Sequence, residues 1–141
     1  MDKKSSMVMV MARVGLGLIF LASGLGKLAG WSGTVEYAAS KGVPEVMLAG
    51  AVALELLGAA SLLVGWRTRW GVAALIVFLV PVTAIFHGPW TAQGADVQLQ
   101  TIQFLKNLSI AGGLLAVAAA GPGAFSLDAR RQQASKAAHE S

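Results

Sequence analysis

Side chains that can ionise or donate hydrogen bonds interrupt stretches of the sequence that are otherwise apolar. They are Arg13, Lys27, Glu55, His87, Lys106 and Asn107. A charged side chain at the centre of a membrane helix costs at least ~2.5–3.5 kcal/mol on insertion scales, so such groups should face the protein interior and find partners. A carboxylate, an imidazole and an ammonium group in a low-dielectric interior suit proton exchange or a carbonyl ligand, although spacing alone does not decide between them.

Four apolar stretches position these side chains. They run from Val8 to Leu28, from Val46 to Trp66, from Trp70 to Trp90 and from Ile102 to Ala120. Each has about the ~20 residues that an α-helix needs to cross ~30 Å of hydrocarbon. The stretches lack the alternation of barrel strands, so helices are the structure that satisfies the backbone. We predict an all-α membrane protein, a bundle of four transmembrane helices within residues 8–125, with a polar lead at 1–7 and a polar tail at 126–141.

The basic residues predict how this bundle is oriented. They concentrate on the side of the N-terminus, the second loop and the tail: Lys3, Lys4, Arg67, Arg69, Arg130, Arg131 and Lys136. By the positive-inside rule both termini should therefore face the cytoplasm. The first stretch follows a basic lead like a signal peptide, but its apolar run is too long for an h-region, so we expect it to be retained.

Composition excludes several classes of protein. The chain is 55% hydrophobic and 13% charged, with a mean hydropathy of +0.65, which is typical of a protein in lipid. The net charge of +4 comes with no basic stripe, so no nucleic-acid partner is expected. The chain has no cysteine, which excludes thiolate chemistry and cysteine-ligated clusters within it, and no metal site is predicted.

Helix geometry brings most of the polar side chains to one side of the membrane. With alternating helix directions and ~1.5 Å rise per residue, the outer half should contain Lys27, His87, Lys106 and Asn107, with Glu55 near the middle. Arg13 should lie on the cytoplasmic side. Two pairings of Glu55 are open at this point: an ammonium partner at Lys106, or a structural ion pair with Arg13.

Five separated blocks of the sequence resemble the DoxX family of small bacterial inner-membrane proteins. In chain order the blocks are "ARVGLGLIFLASGLGKL", "KGVPEVMLAGAVALELLGAASLLVGWRTR", "FHGPW", "FLKNLSIAGGLL" and "GPGAFSLD". The resemblance covers roughly residues 12–128, and the order of the blocks makes it specific. It implies a four-helix inner-membrane protein whose relatives are often linked to redox complexes, among them the membrane part of a thiosulfate:quinone oxidoreductase and a mycobacterial protein associated with an oxidative-stress complex. The family's polar positions fall on Arg13, Lys27, Glu55, Arg69, His87, Lys106 and Asn107.

Three functions follow as hypotheses. The first is an accessory or quinone-interacting component of a membrane redox system, a subunit of an oxidoreductase rather than a self-sufficient enzyme. Its pocket would hold ubiquinone or menaquinone without a covalent cofactor and would be formed by Lys27, Glu55, His87, Trp90, Lys106 and Asn107. The second is a non-enzymatic scaffold that docks on partner membrane subunits or on further copies of itself through small-residue faces. The third is a small-solute carrier, which four helices seldom form alone.

Overall fold

The structure is a computed structural model and describes residues 3–139. This part of the chain is almost entirely helical. The helices are α1 (Lys3–Ala29), α2 (Trp31–Ser40), α3 (Glu45–Val64), α4 (Thr68–Phe86), α5 (Asp96–Ala120) and α6 (Leu127–His139), with a 3-10 turn at Pro89–Thr91 between α4 and α5.

The predicted fold class is confirmed, because α1, α3, α4 and α5 are each long and apolar enough to cross a membrane. Their ends differ from the apolar stretches for local reasons. Helix α4 ends at Phe86 instead of continuing to Trp90, since Gly88 and Pro89 do not extend a helix. Helix α5 begins at Asp96, where a carboxylate in the first turn complements the helix dipole.

The segment between the first two spans forms a helix of ten residues, α2. Ala38 of α2 is 1% exposed and packs with Leu48 and Val52 of α3. The indole Nε1 of Trp31 donates a hydrogen bond to Glu45 Oε1 at 3.0 Å. Helix α2 is therefore fastened along the N-terminal half of α3.

Helix α3 is the centre of the bundle and packs against both α1 and α4. Small residues let these helices approach closely. A Cβ atom on Gly58 of α3 would lie 3.1 Å from the carbonyl oxygen of Gly71 in α4, and one on Gly17 of α1 would lie 3.3 Å from the carbonyl oxygen of Ala59. Helix α5 is more loosely embedded, and its fully buried side chains are Leu114 and Val117. The main core consists of Phe20, Ala59, Leu62, Val72, Leu75, Phe78, Leu79, Leu114 and Val117.

One end of the bundle gathers the N-terminal part of α1, the α3–α4 turn with the start of α4 (residues 65–69) and the segment 121–136. We call it the basic end, since it contains Arg67, Arg69, Arg130 and Arg131. Arg13 is 2% exposed there, and its guanidinium donates hydrogen bonds to Leu62 O and to Phe125 O, each at 2.9 Å. Because Leu62 lies in the last turn of α3 and Phe125 follows α5, Arg13 fastens α1 to the ends of both helices.

Asp128 holds the α3–α4 turn from the start of α6. Its carboxylate accepts hydrogen bonds from Arg67 N at 2.7 Å and from Thr68 N and Thr68 Oγ1 at 3.0 Å each. Partial burial acts to raise the pKa of the Asp128 carboxyl, but these hydrogen bonds and the charge of Arg13 together hold it below its ordinary value of 3.8. The ionised form is therefore favoured by folding.

Stability should consequently fall in acid through this carboxyl. A group whose pKa is depressed by folding stabilises the protein above its unfolded pKa, near 3.8 here, and that contribution is lost as pH falls through the lower folded value. Asp128→Asn should destabilise the protein at pH 7 by about 1–3 kcal/mol, since hydrogen bonds to a charged acceptor are lost. Unfolding in detergent from pH 7 to pH 2 checks this. The gap between wild type and variant should close below pH 3.8, and a gap that is constant with pH contradicts it.

Candidate functional site

The main cavity of the bundle lies in the half remote from the basic end. We call this the distal half; it comprises the C-terminal halves of α1 and α4, the N-terminal halves of α3 and α5, and all of α2. The cavity has a volume of about 590 Å³. Most of its lining is apolar, and the polar side chains that reach it are Ser23, Lys27, Thr34, Tyr37, Glu55, His87, Gln103, Lys106 and Asn107.

An ion pair between α1 and α3 lies at the wall of this cavity. Lys27 Nζ is 2.8 Å from Glu55 Oε2 and 3.0 Å from Glu55 Oε1, and it also donates to Ser23 Oγ at 2.5 Å. The Glu55 side chain is 1% exposed, whereas that of Lys27 is 26% exposed. The ammonium lies 5.4 Å from the centroid of the Phe78 ring, a cation–π contact. All three ammonium donors of Lys27 therefore have acceptors.

The ion pair forms here because α1 and α3 come close together at Gly24. A Cβ atom at Gly24 would lie 3.5 Å from Glu55 Oε2 and 2.6 Å from a methyl carbon of Leu56. A larger residue would hold the helices apart at the depth of the carboxylate.

The predicted ion pair between Arg13 and Glu55 is wrong. The guanidinium of Arg13 lies at the basic end and donates to main-chain carbonyl groups. The alternative partner, Lys106, is an exposed residue whose ammonium donates to Gln103 Oε1 at 2.7 Å, one helical turn away. Glu55 pairs instead with Lys27.

The amide of Asn107 connects α5 to α4. Its Nδ2 donates to Thr83 Oγ1 at 2.9 Å, and the threonine hydroxyl donates in turn to Leu79 O at 2.7 Å. Asn107 thus has one amide hydrogen engaged by α4, while its side chain also lines the cavity.

His87 lines the same cavity at the end of α4. Its backbone N–H donates to Thr83 O at 3.0 Å, and its Nδ1 lies 3.2 Å from Gln100 Oε1. An amide oxygen only accepts, so with this partner the proton is on Nδ1 and Nε2 is the acceptor nitrogen.

Trp90 does not line the cavity, in contrast to its inclusion among the pocket residues predicted from the sequence. It is 64% exposed and packs edge-on against Phe104, with the ring centroids 5.8 Å apart. The reason is the break at Gly88 and Pro89, which turns the chain away from the axis of α4.

Several lining residues were not predicted. Thr34 and Tyr37 come from α2, which the sequence did not indicate as a full helix, and Tyr37 packs against Phe86 with ring centroids 5.4 Å apart. Ser23 precedes Lys27 by four residues, and Gln103 precedes Lys106 by three. That helical spacing was the available signal, since it places each polar side chain on the same face as its lysine.

The fold and this cavity define a small four-helix membrane protein with a polar group of side chains inside one half of the bundle. The family model described as DoxX matches residues 8–88. The chain belongs to the DoxX family.

Two relatives from Escherichia coli (strain K12) align over most of the chain. The inner membrane protein YphA is 42% identical over 87% of this chain and 89% of its own length. The inner membrane protein YqjF is 34% identical over 91% of this chain and 95% of its own length. With four membrane-spanning helices, the protein is a multi-pass protein of the bacterial inner membrane.

A third relative aligns over a smaller part of the chain. The protein named "Putative oxidoreductase CatD" from Bacillus subtilis (strain 168) is 35% identical over 49% of this chain and 52% of its own length. No solved structure matches the chain significantly.

Proposed function

We propose that this DoxX-family protein binds the headgroup of a quinone, ubiquinone or menaquinone, in the distal cavity and serves as an accessory component of a membrane redox system. The observation that supports the proposal best is the composition of the cavity. Its volume of about 590 Å³ falls within the ~300–1,000 Å³ usual for small-molecule sites, and it combines an apolar lining with a few convergent polar side chains. A ligand with a polar ring and an apolar tail matches that combination.

The donors and acceptors at the cavity suit a ring that carries carbonyl oxygens. Lys106 uses one of its three ammonium donors on Gln103, which leaves two for a ligand, whereas those of Lys27 are already engaged. Asn107 keeps one amide hydrogen beyond the bond to Thr83. We therefore assign the carbonyl contacts to Lys106 and Asn107.

The acid–base groups of the cavity suit a ligand that exchanges protons. A bound quinone supplies carbonyl oxygens that take up protons when the ring is reduced. His87 presents Nε2 as the acceptor nitrogen while Gln100 holds Nδ1, and an imidazole is the side chain that most often serves as general acid or base. We assign proton exchange with the bound ring to His87.

The accessory role follows from what the chain lacks and from a relative. Without cysteine, thiol chemistry in this chain cannot supply electrons, so the proposal assigns that supply to a partner subunit. The relative CatD is named as an oxidoreductase, which supports a redox setting.

A titration with short-tailed quinones tests the proposal. Purified protein in detergent is titrated with decylubiquinone and with a menaquinone analogue, and tryptophan fluorescence is followed. We expect saturable binding that Lys106→Ala weakens roughly tenfold or more, because a hydrogen bond from a charged donor is lost. Lys41→Ala is the matched control, since Lys41 is an exposed lysine outside the cavity lining. A decyl chain without the ring measures simple partitioning.

Two outcomes would contradict the quinone proposal. One is the absence of binding beyond that of the decyl chain, and the other is equal affinity of Lys106→Ala and Lys41→Ala. The second candidate function, a non-enzymatic scaffold, is favoured by α5, whose exposed Leu105, Leu108 and Leu115 are available to a partner subunit. A scaffold predicts the first outcome together with a lowered thermal stability of Glu55→Gln.

A further inference from the structure

A second concave surface lies at the basic end, where α6 crosses the α3–α4 turn. We call it the Trp66 groove; it has a volume of about 470 Å³ and is lined by Trp66, Leu127, Arg130, Arg131 and Ala134. The four residues from α6 follow one another at spacings of three, one and three, so they form a single helix face. We propose that this groove binds the headgroup of an anionic phospholipid.

Three guanidinium groups gather around one indole. The central carbons of the Arg67 and Arg131 guanidinium groups lie 5.2 Å and 5.8 Å from the centroid of the Trp66 ring, and Arg130 lines the groove beside them. Within residues 3–139 none of the three forms an ion pair with a carboxylate. A guanidinium that packs on a ring through its flat face keeps its N–H donors, which point outward along its edge, and these match phosphate oxygens.

The apolar part of the groove distinguishes a lipid from a free phosphate ion. Leu127 is 43% exposed and Trp66 40% exposed, and both lie beside the arginines. Trp70, 76% exposed at the start of α4, marks the level at which headgroups meet acyl chains. A phosphodiester bound to the arginines would place its glycerol carbons against Leu127 and Trp66. A free phosphate ion has no such carbons, so it would leave both side chains in contact with water.

The backbone of Arg67 fixes where this cation lies. Arg67 is the residue other than glycine with positive φ among residues 3–139, at φ 49° and ψ 40°. This conformation is less favourable for an L-residue than for glycine. It is imposed by Asp128, which accepts the Arg67 N–H, and by Ser61, whose hydroxyl donates to Trp66 O at 2.6 Å. The turn thereby holds the Arg67 guanidinium beside the indole of Trp66.

The charge of this end also favours an anionic membrane surface. The sequence predicts that the basic end faces the cytoplasm, where basic residues close to anionic lipid headgroups are attracted to them. Helix α6 has no buried residue and is fastened through its first turn, so Arg130 and Arg131 can adjust to a headgroup. A nonspecific attraction would involve every cation at this end, whereas the Trp66 groove depends on Arg130 and Arg131, which line it, and on Arg67, which lies over its indole.

Native mass spectrometry of the detergent-purified protein tests the proposal. Phosphatidylglycerol and phosphatidylcholine with the same acyl chains are titrated, and bound lipid is counted. We expect a clear preference for phosphatidylglycerol, and the double variant Arg130→Gln/Arg131→Gln should weaken its binding roughly tenfold or more. The matched control is Arg69→Gln/Lys136→Gln, which removes the same charge from exposed residues of the same end outside the groove.

A separate variant distinguishes binding from structure. Arg67→Gly removes one cation and relieves the positive φ, so it should raise thermal stability while weakening phosphatidylglycerol binding several-fold. Three results would overturn the proposal: equal losses in the two double variants, Arg67→Gly binding phosphatidylglycerol like wild type, or inorganic phosphate displacing the lipid as well as soluble glycerophosphoglycerol does. The first would indicate general surface charge and the last a phosphate site.

Discussion

Lys27→Met should lower the free energy of unfolding by about 3–5 kcal/mol, since removing one partner of a buried ion pair leaves the other charge without compensation. The Glu55 carboxylate is 1% exposed and accepts hydrogen bonds on both oxygens from Lys27 Nζ. Methionine matches the length and apolar stem of lysine, so the change removes the charge while keeping the packing. Unfolding in mixed micelles at pH 7, followed by circular dichroism, measures the loss.

Two comparisons separate this effect from a general cost of mutation. Lys106→Met removes the other lysine of the cavity, which is exposed, and should change stability little. Glu55→Gln should cost less than Lys27→Met, because the Lys27 side chain is 26% exposed and its ammonium can turn to water. The double variant Lys27→Met/Glu55→Leu should recover most of the loss, as apolar replacements of buried ion pairs often do. Equal effects of Lys27→Met and Lys106→Met would rule out the pair as a stabilising element.

Gly65→Ala is expected to cost about 2–5 kcal/mol, the sum of a left-handed backbone penalty and steric overlap. Gly65 ends α3 with φ 66°, and a Cβ atom there would overlap the Arg13 guanidinium and lie 2.6 Å from Ser126 Cβ. The substitution should therefore displace Arg13 from its carbonyl acceptors. Thermal unfolding in detergent measures the loss.

Gly15→Ala is the matched control for this prediction. Gly15 lies in the same membrane domain, within α1, and a Cβ atom there meets nothing within 4 Å. Alanine is the better helix former by about 1 kcal/mol, so the variant should be as stable as wild type or slightly more stable. The explanation for Gly65 fails if both alanine variants unfold at the same temperature.

The sequence predicted the helices well because hydropathy over ~20 residues is a strong local signal. It also placed Lys27, His87, Lys106 and Asn107 in the same half of the bundle, since depth along a helix follows from counting residues. It did not predict that Lys27 is the partner of Glu55. That pairing depends on the short distance between α1 and α3 at Gly24. The distance is set by the packing of the two helices and cannot be read from the sequence of either one.

The wrong predictions for Arg13 and Trp90 each have a specific structural cause. Arg13 was paired with a carboxylate because charged partners are visible in a sequence, whereas its actual acceptors are the main-chain carbonyl groups of Leu62 and Phe125. Any residue type can provide such an acceptor. Trp90 was assigned to the cavity because it follows His87 closely. The turn at Gly88 and Pro89 instead places the Trp90 ring against Phe104, outside the cavity lining.

The two hydrogen bonds of Arg13 have a consequence for biosynthesis. Their acceptors lie 49 and 112 residues further along the chain, so neither exists when the first helix leaves the ribosome. At ~5–20 residues synthesised per second, the acceptor at Phe125 emerges on the order of ten seconds after Arg13. Until then this guanidinium must be accommodated by lipid headgroups or by the insertion machinery, and the membrane domain reaches its final form only after Phe125 has been translated.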